Sequence, residues 1–451
     1  MKAQQSSTPK VWVASVDMGL GHQRATYPFR QIAEGEIINI NSAPYARPRE
    51  LLFWNRLQRG YETLSRAKAF PVIGLPLFGL LDSLQHIPPF YPQVNMSHPN
   101  LQVRMLKQAI KKGLCSGMLE TIRKKDLPLL TSYMTPAIAA DSAGHERVYC
   151  ILCDAEVHRA WVAENPAKSR IQYFAPCERT VRRLRSYGVP DERIFLTGFP
   201  FPAELLGGPD LKLLKGDIFR RLQGLDPTGV FRAIHRRSME DILGQGTKNR
   251  LITDRRPILT LTFAVGGAGA QKEMGHFIAR SLREKMQGGE LLLNLVAGVR
   301  KEVHAYFEKV KREILPNNSF LRVIKSHTKE EYFDTFSKLI RTTDILWTKP
   351  SELSFYAGLG LPIILAPTIG SQEVYNKKWL LEIHAGIPQE DPRYTHEWLF
   401  DLLMDGRFAD AAWDGFLKVK QRGLFRIMDI LQNGVSEEAL ESSTGVLECS
   451  Q

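Results

Sequence analysis

Short apolar, β-branched runs alternate with longer amphipathic stretches along this chain. KVWVASV (10–16) is continuously apolar and predicts a buried strand. A glycine-bearing turn follows, then HQRATYPFRQIAEG (22–35) with helical spacing, then EIININ (36–41) as a second strand. Strand, turn, helix and strand make a βαβ opening. LPLLTSY (127–133), RVYCILCD (147–154), IQYFAP (171–176) and RIFLTGFP (193–200) predict further strands, with helical segments between them. From 203 to 255 the pattern changes to charged residues, Gly-Gly and Asp-Pro-Thr-Gly breaks, and helical patches such as LKGDIFRRLQGL (214–225). The strand rhythm then restarts with PILTLTFAV (257–265), ELLLNLVAG (290–298), FLRVIK (320–325), DILWTK (344–349) and PIILAP (362–367). The pattern predicts an α/β chain in four parts. Residues 1–202 form an N-terminal α/β domain and 203–256 a linker with helical insertion. Residues 257–425 form a second α/β domain, and 426–451 a terminal helix and tail.

Composition narrows the partners. The chain has 451 residues and a net charge of +12, with a pI near 9.4. That balance favours phosphates, acidic lipid surfaces or nucleic acid, and no recognisable nucleic-acid module accompanies it. Five scattered cysteines argue against a disulfide framework and for a reducing compartment, so a cytoplasmic location is expected. Cys150 and Cys153 form a C-x-x-C inside an apolar run. No second pair answers them, and they read as core. The polar start MKAQQSSTPK lacks the apolar centre of a signal peptide. No apolar run reaches the roughly 20 residues of a spanning helix. AFPVIGLPLFGLL (69–81), with two prolines and two glycines, could lie on a membrane but is poorly built to cross one. Residues 49–91 mix Arg49, Arg56, Arg59, Arg66 and Lys68 with Phe53, Trp54, Tyr61, Phe70 and Phe78, and the helix candidate 104–125 adds seven basic side chains. This 49–125 region reads either as a membrane-surface segment or as a core helix pair with a solvated basic face.

Three stretches carry candidate chemistry. GLGHQRA (19–25) puts His22 at the mouth of a turn, where a neutral imidazole can take a proton at neutral pH. AVGGAGAQ (264–271) is a glycine loop after a strand, open to close approach by a phosphate. It matches neither the dinucleotide fingerprint nor a Walker A motif, and a plain tight turn remains the other reading. TKPSELSFYAGLGLPIILAPTIGSQEVYNKKW (348–379) suggests a helix start with Ser351 as cap and Glu352 in the first turn. Its Gln372, Glu373 and Asn376 then fall where a sheet edge would present them to sugar hydroxyls.

In order, these motifs resemble the GT-B glycosyltransferases of the monogalactosyldiacylglycerol synthase type and, more distantly, the peptidoglycan GlcNAc transferase that makes lipid II. GLGHQRA is similar to the family's Gly-x-Gly-His-x-x-Ala. CDAEVHRAW through RIFLTGFP is similar to its Asp, His and Trp run. TK…GLPIIL…GSQEVYN is similar to its nucleotide-sugar segment. The resemblance implies two Rossmann-like domains facing a central cleft, a nucleotide-sugar donor (usually UDP-linked) on the second, and a lipid or membrane-bound acceptor on the first. It implies no cofactor and no metal. It implies His22 as the catalytic base beside Gly21, with Asp154, His158 and Trp161 on the acceptor side. Donor binding falls to Gly266, Gly267, Gly269, Ser351, Glu352, Gln372, Glu373 and Asn376. The chain departs from the family at Phe355, where a ribose-binding Glu is usual, and Glu352 is the substitute at hand. The expected function is an inverting hexosyl transfer to a hydroxyl. The alternatives are an epimerase or hydrolase of the same architecture and a non-catalytic nucleotide-sugar-binding scaffold.

Overall fold

The computed structural model describes residues 9–56, 87–244, 258–266 and 269–434. The chain divides into two compact α/β units. One comprises Met1–Phe201, Ile369–Tyr375 and Arg422–Gln451; the other comprises Pro202–Thr368 and Asn376–Gln421.

The first unit holds β1 (Trp12–Ser15), β2 (Ile38–Asn39), β3 (Leu129–Thr131), β4 (Val148–Ile151), β5 (Gln172–Ala175) and β6 (Ile194–Leu196) in one sheet of order β2-β1-β3-β4-β5-β6. Every pairing is parallel. Parallel strands covered on both faces are buried along their whole length, which is why they read as unbroken apolar runs. The order reverses between β1 and β3. Loops at the carboxyl ends of strands flanking such a reversal open away from each other and leave a crevice.

The second unit holds β7 (Leu259–Ala264), β8 (Leu291–Gly298), β9 (Leu321–Lys325), β10 (Ile345–Thr348), β11 (Ile363–Leu365) and β12 (Gly386–Pro388) in the order β12-β11-β10-β7-β8-β9, again parallel throughout. Its reversal lies between β7 and β10. These two doubly wound sheets bear out the α/β, twice Rossmann-like class. The three-residue β12 was not legible in HAGIPQ, which is too short to show alternation.

The helices Lys212–Leu225 and Val230–Leu243 lie in the 203–256 stretch and belong to the second unit. Arg221, almost wholly buried, holds the first of them in place. Its guanidinium donates to the carbonyls of Thr343 (2.8 Å), Leu359 (2.7 Å), Gly360 (3.2 Å) and Ile340 (3.3 Å). Gly360 sits at φ +67°, and a Cβ there would fall 2.0 Å from Ile218 Cδ1, so both backbone and space demand glycine.

Two helical expectations need correction. HQRATYPFRQIAEG is helical only over Leu20–Thr26, followed by a 3₁₀ turn at Tyr27–Phe29, because Pro28 brings no N–H. The single helix over 104–125 is two, Leu101–Lys111 and Ser116–Ile122. The break is a left-handed turn at Gly113 (φ 101°) and Cys115 (φ 68°).

Candidate functional site

In the first unit, the turn after β1 leads into Leu20–Thr26 through Gly19, at φ 113°. A Cβ on Gly19 would meet nothing within 4 Å, so that glycine serves the backbone rather than close approach. Gly21 and His22 lie in the helix it opens. His22 Nδ1 stands 2.8 Å from the carbonyl oxygen of Ser132, just past β3. Ser132 Oγ donates back to the His22 carbonyl at 2.7 Å. A carbonyl only accepts, so Nδ1 carries the hydrogen. In the neutral ring, Nε2 then carries the lone pair.

Cys153 Sγ lies 3.2 Å from the same Nδ1. The imidazole also meets Tyr133 edge-on at 4.8 Å and Trp161 at 6.0 Å between ring centres, and those two rings touch each other at 5.9 Å. The carboxyl ends of β1, β3 and β4, three neighbouring strands, therefore converge on one imidazole. Ser132, Tyr133 and Cys153 were not picked out from sequence. The available signal for Cys153 was the C-x-x-C: Cys150 is buried within β4, while Cys153, three residues on, reaches His22.

The other residues of the CDAEVHRAW run have different surroundings. Trp161 is buried against His22. Asp154 is half-buried, and its carbonyl accepts from Thr180 Oγ1 at 3.2 Å. His158 is 5 % exposed, and its Nδ1 has no hydrogen-bond partner. Burial alone pushes the His158 imidazole down to about 4, so it is neutral at physiological pH. Close by, Glu156 is completely buried between Arg179 (2.9 Å) and Arg183 (2.6 Å).

In the second unit, Gly266 follows β7 and Lys349 follows β10, at the reversal of strand order. Thr348 Oγ1 donates to the Ala264 carbonyl at 3.1 Å and ties the two strand ends together. Gly269, at φ 72°, donates its N–H to the Gly266 carbonyl at 2.8 Å, closing the glycine turn. Gly267 lies outside the described residues. Gln271 Nε2 donates to the Pro367 carbonyl at 2.8 Å, and the helix Glu273–Ser281 begins two residues later.

The expected cap at Ser351 is corrected. Its side chain makes no cap bond, and the segment Glu352–Leu359 is 3₁₀ rather than α. Ser351 N–H turns back to the Lys349 carbonyl at 2.8 Å, while the Ser351 carbonyl accepts from Ser354 N–H at 2.9 Å. These tight backbone turns start the helix without the hydroxyl. Glu352 is buried in its first turn. Phe355 is fully buried against Trp379, 4.9 Å between ring centres.

On the helix Ser371–Glu382, Glu373 accepts from Ile369 N–H at 2.7 Å, and Asn376 Nδ2 donates to the Pro350 carbonyl at 3.2 Å. Both side chains are buried and support turns, whereas Gln372 is half-buried. A cavity of about 510 Å³, a usual size for a small-molecule site, is lined by residues such as His235, His384, Arg407, Asp410 and Asp414. It adjoins the edge strand β12, not the reversal between β7 and β10. Among the described residues, no group of three or more His, Cys, Asp or Glu side chains is arranged to hold a metal.

The chain matches no protein-family model and no curated protein. Among solved structures it is similar to S. aureus MnaA with UDP: 11% identity, 95% of this chain and 98% of that chain, TM-score 0.49. It is also similar to UDP-GlcNAc 2-epimerase from Neisseria meningitidis bound to UDP-GlcNAc, at 13% identity over 75% and 82% of the two chains, TM-score 0.42. The spinosyn rhamnosyltransferase SpnG is similar at 13% identity over 93% and 100%, TM-score 0.42. At these identities and scores the fold of this chain rests on its own two sheets.

Proposed function

We propose that the chain is a glycosyltransferase of GT-B type. It moves a hexose from a nucleotide-sugar, UDP-linked by the motif resemblance, to a hydroxyl of a lipid or membrane-associated acceptor, with inversion. The observation that carries this reading is the His22 imidazole. It stands at the strand reversal of a doubly wound sheet, with Nδ1 donating to the Ser132 carbonyl. That bond leaves Nε2 as the basic atom of the neutral ring.

Nε2 takes the acceptor hydroxyl's proton as the hydroxyl oxygen bonds the anomeric carbon from the face opposite the diphosphate. The bond from that carbon to the diphosphate breaks, and the nucleoside diphosphate leaves with the electron pair. Gly21, Asp154, His158 and Trp161 form the acceptor side, with His158 acting as a neutral, buried support. Gly266, Gly267, Gly269, Ser351, Glu352, Gln372, Glu373 and Asn376 form the donor side, with Glu352 in the ribose role that Phe355 cannot fill. No cofactor or metal takes part in this scheme. The protein works in the cytoplasm, at the inner membrane face, with the 49–125 region as its membrane contact.

The test compares wild type with His22→Gln. Nucleoside diphosphate release from UDP-hexoses is followed with lipid hydroxyl acceptors in vesicles. Removing a general base is expected to slow turnover by roughly 10²- to 10⁴-fold, with UDP binding unchanged. Full turnover by His22→Gln would remove the histidine from the chemistry.

A further inference from the structure

β7 and β10 lie side by side where the second sheet reverses its order, and the chain leaves them through Gly266 and Lys349. The two residues are mutually dependent. A Cβ on Gly266 would fall 2.3 Å from Lys349 Cε, 3.2 Å from Cδ and 3.4 Å from Nζ. The lysine stem therefore lies across the bare face of the glycine, and its ammonium reaches the glycine turn. The backbone on either side of the stem is held. Thr348 is bonded to Ala264 across the strands, and the Lys349 carbonyl accepts from Ser351 N–H. The stem's position is thus set by the sheet and by the absence of a side chain at 266, and a glycine there is needed whether or not a ligand is bound.

We propose that Lys349 is the cationic ligand of the donor's diphosphate. This inference rests on the nucleotide-sugar reading of the same site. An ammonium is a compact point charge suited to phosphate oxygens. Placed at the carboxyl end of the central strands, beside backbone exposed by glycine, it bonds the diphosphate in the bound donor. It also offsets the charge that grows on that group as the sugar leaves. Its contribution belongs to the phosphates and not to the nucleoside, which separates it from residues that shape the pocket.

Isothermal titration of the full chain with UDP, uridine and inorganic pyrophosphate, at low and moderate salt, tests this. Lys349→Gln is expected to weaken UDP and pyrophosphate at least tenfold, leave uridine unchanged and flatten the salt dependence. Lys349→Arg, which keeps the charge, is expected to stay within a few-fold of wild type. Gly266→Ala displaces the stem and is expected to reproduce the loss, with no further loss in the double variant. UDP and pyrophosphate binding by Lys349→Gln at wild-type strength overturns the role of Lys349 and leaves the donor reading standing. Wild type that binds pyrophosphate through Lys349 but no nucleoside diphosphate supports the phosphate ligand and overturns the donor reading. An equal loss of uridine and UDP in both Lys349→Gln and Lys349→Arg overturns the proposal by making the lysine merely structural.

Discussion

At the scale of residues, His22 and His158, both in the chain's first unit, do opposite things. His22 is half-buried, with its tautomer set by a backbone carbonyl; His158 is buried, with an unpartnered Nδ1. The His158 environment has a measurable consequence. Its folded-state value of about 4 lies below the ordinary 6.5. From pH 6.5 down to 4 the unfolded chain therefore binds a proton that the folded chain refuses, and stability falls as pH falls. Above 6.5 the effect vanishes. At 1.36 kcal/mol per pH unit, its ceiling is about 3 kcal/mol. Denaturant unfolding of wild type and His158→Gln at pH 4–7 is expected to give a flatter curve for the variant; parallel curves would contradict the buried neutral ring. The pattern that singles out His22, a histidine beside glycines after a first strand, is local. Its partners Ser132, Tyr133 and Cys153 are not local. They arrive from β3 and β4 only because the sheet order places those strands beside β1. Ser351 misled for the converse reason: its residue type fits a cap, but a backbone turn to Lys349 did that work.

At the scale of elements, strands were far easier to read than helices. Eleven runs, from KVWVASV to PIILAP, each contain an observed strand. In β1, β3, β4 and β10 burial on both faces leaves a continuous apolar signature, whereas the edge strand β9 is only partly buried. Helix limits depended on Pro28 and on a left-handed Cys115, features whose effect is steric rather than periodic. The anchoring of Lys212–Leu225 through Arg221 was invisible in a stretch that read as a linker. Arg221→Met is expected to lower stability by about 3 kcal/mol, since a charged donor is lost and buried carbonyls go unsatisfied. Urea unfolding followed by far-UV circular dichroism would detect this, and an unchanged midpoint would contradict it. Gly360→Ala is expected to destabilise by about 2 kcal/mol through backbone strain and overlap with Ile218. Adding Ile218→Val removes the Cδ1 atom nearest the new methyl. It should recover the overlap share of the loss and none of the strain. No recovery in the double variant would assign the whole effect to the backbone.

At the scale of the whole molecule, two units of different strand order each bring a strand reversal and a glycine-bearing loop to the carboxyl ends of their central strands. The class was legible from the repeated strand rhythm. The membrane-facing reading of 49–125 stays a proposal: residues 57–86, and with them the 69–81 run, lie outside the described residues. Within that region Trp54 is buried, while Leu101 (61 %) and Met105 (56 %) are exposed on a helix with Arg104, Lys111 and Lys112 also exposed. No described helix is long and apolar enough to cross a membrane. The net charge of +12 and this apolar-basic stripe lead to an expected binding to anionic vesicles that weakens with salt. Arg104→Glu/Lys111→Glu is expected to reduce co-sedimentation several-fold, and equal sedimentation would contradict a membrane role for this stripe.

The central claim is sugar transfer to a hydroxyl, and the most direct measurement is nucleoside diphosphate release from a panel of nucleotide-hexoses, with and without lipid vesicles carrying free hydroxyl headgroups. Release from one nucleotide class that requires the acceptor, and a glycolipid product in equal amount, is the predicted result. Donor consumed at the same rate without acceptor would replace transfer with epimerisation or hydrolysis. Binding of no nucleotide at all would leave a scaffold, with Phe355 filling the space where the ribose was expected.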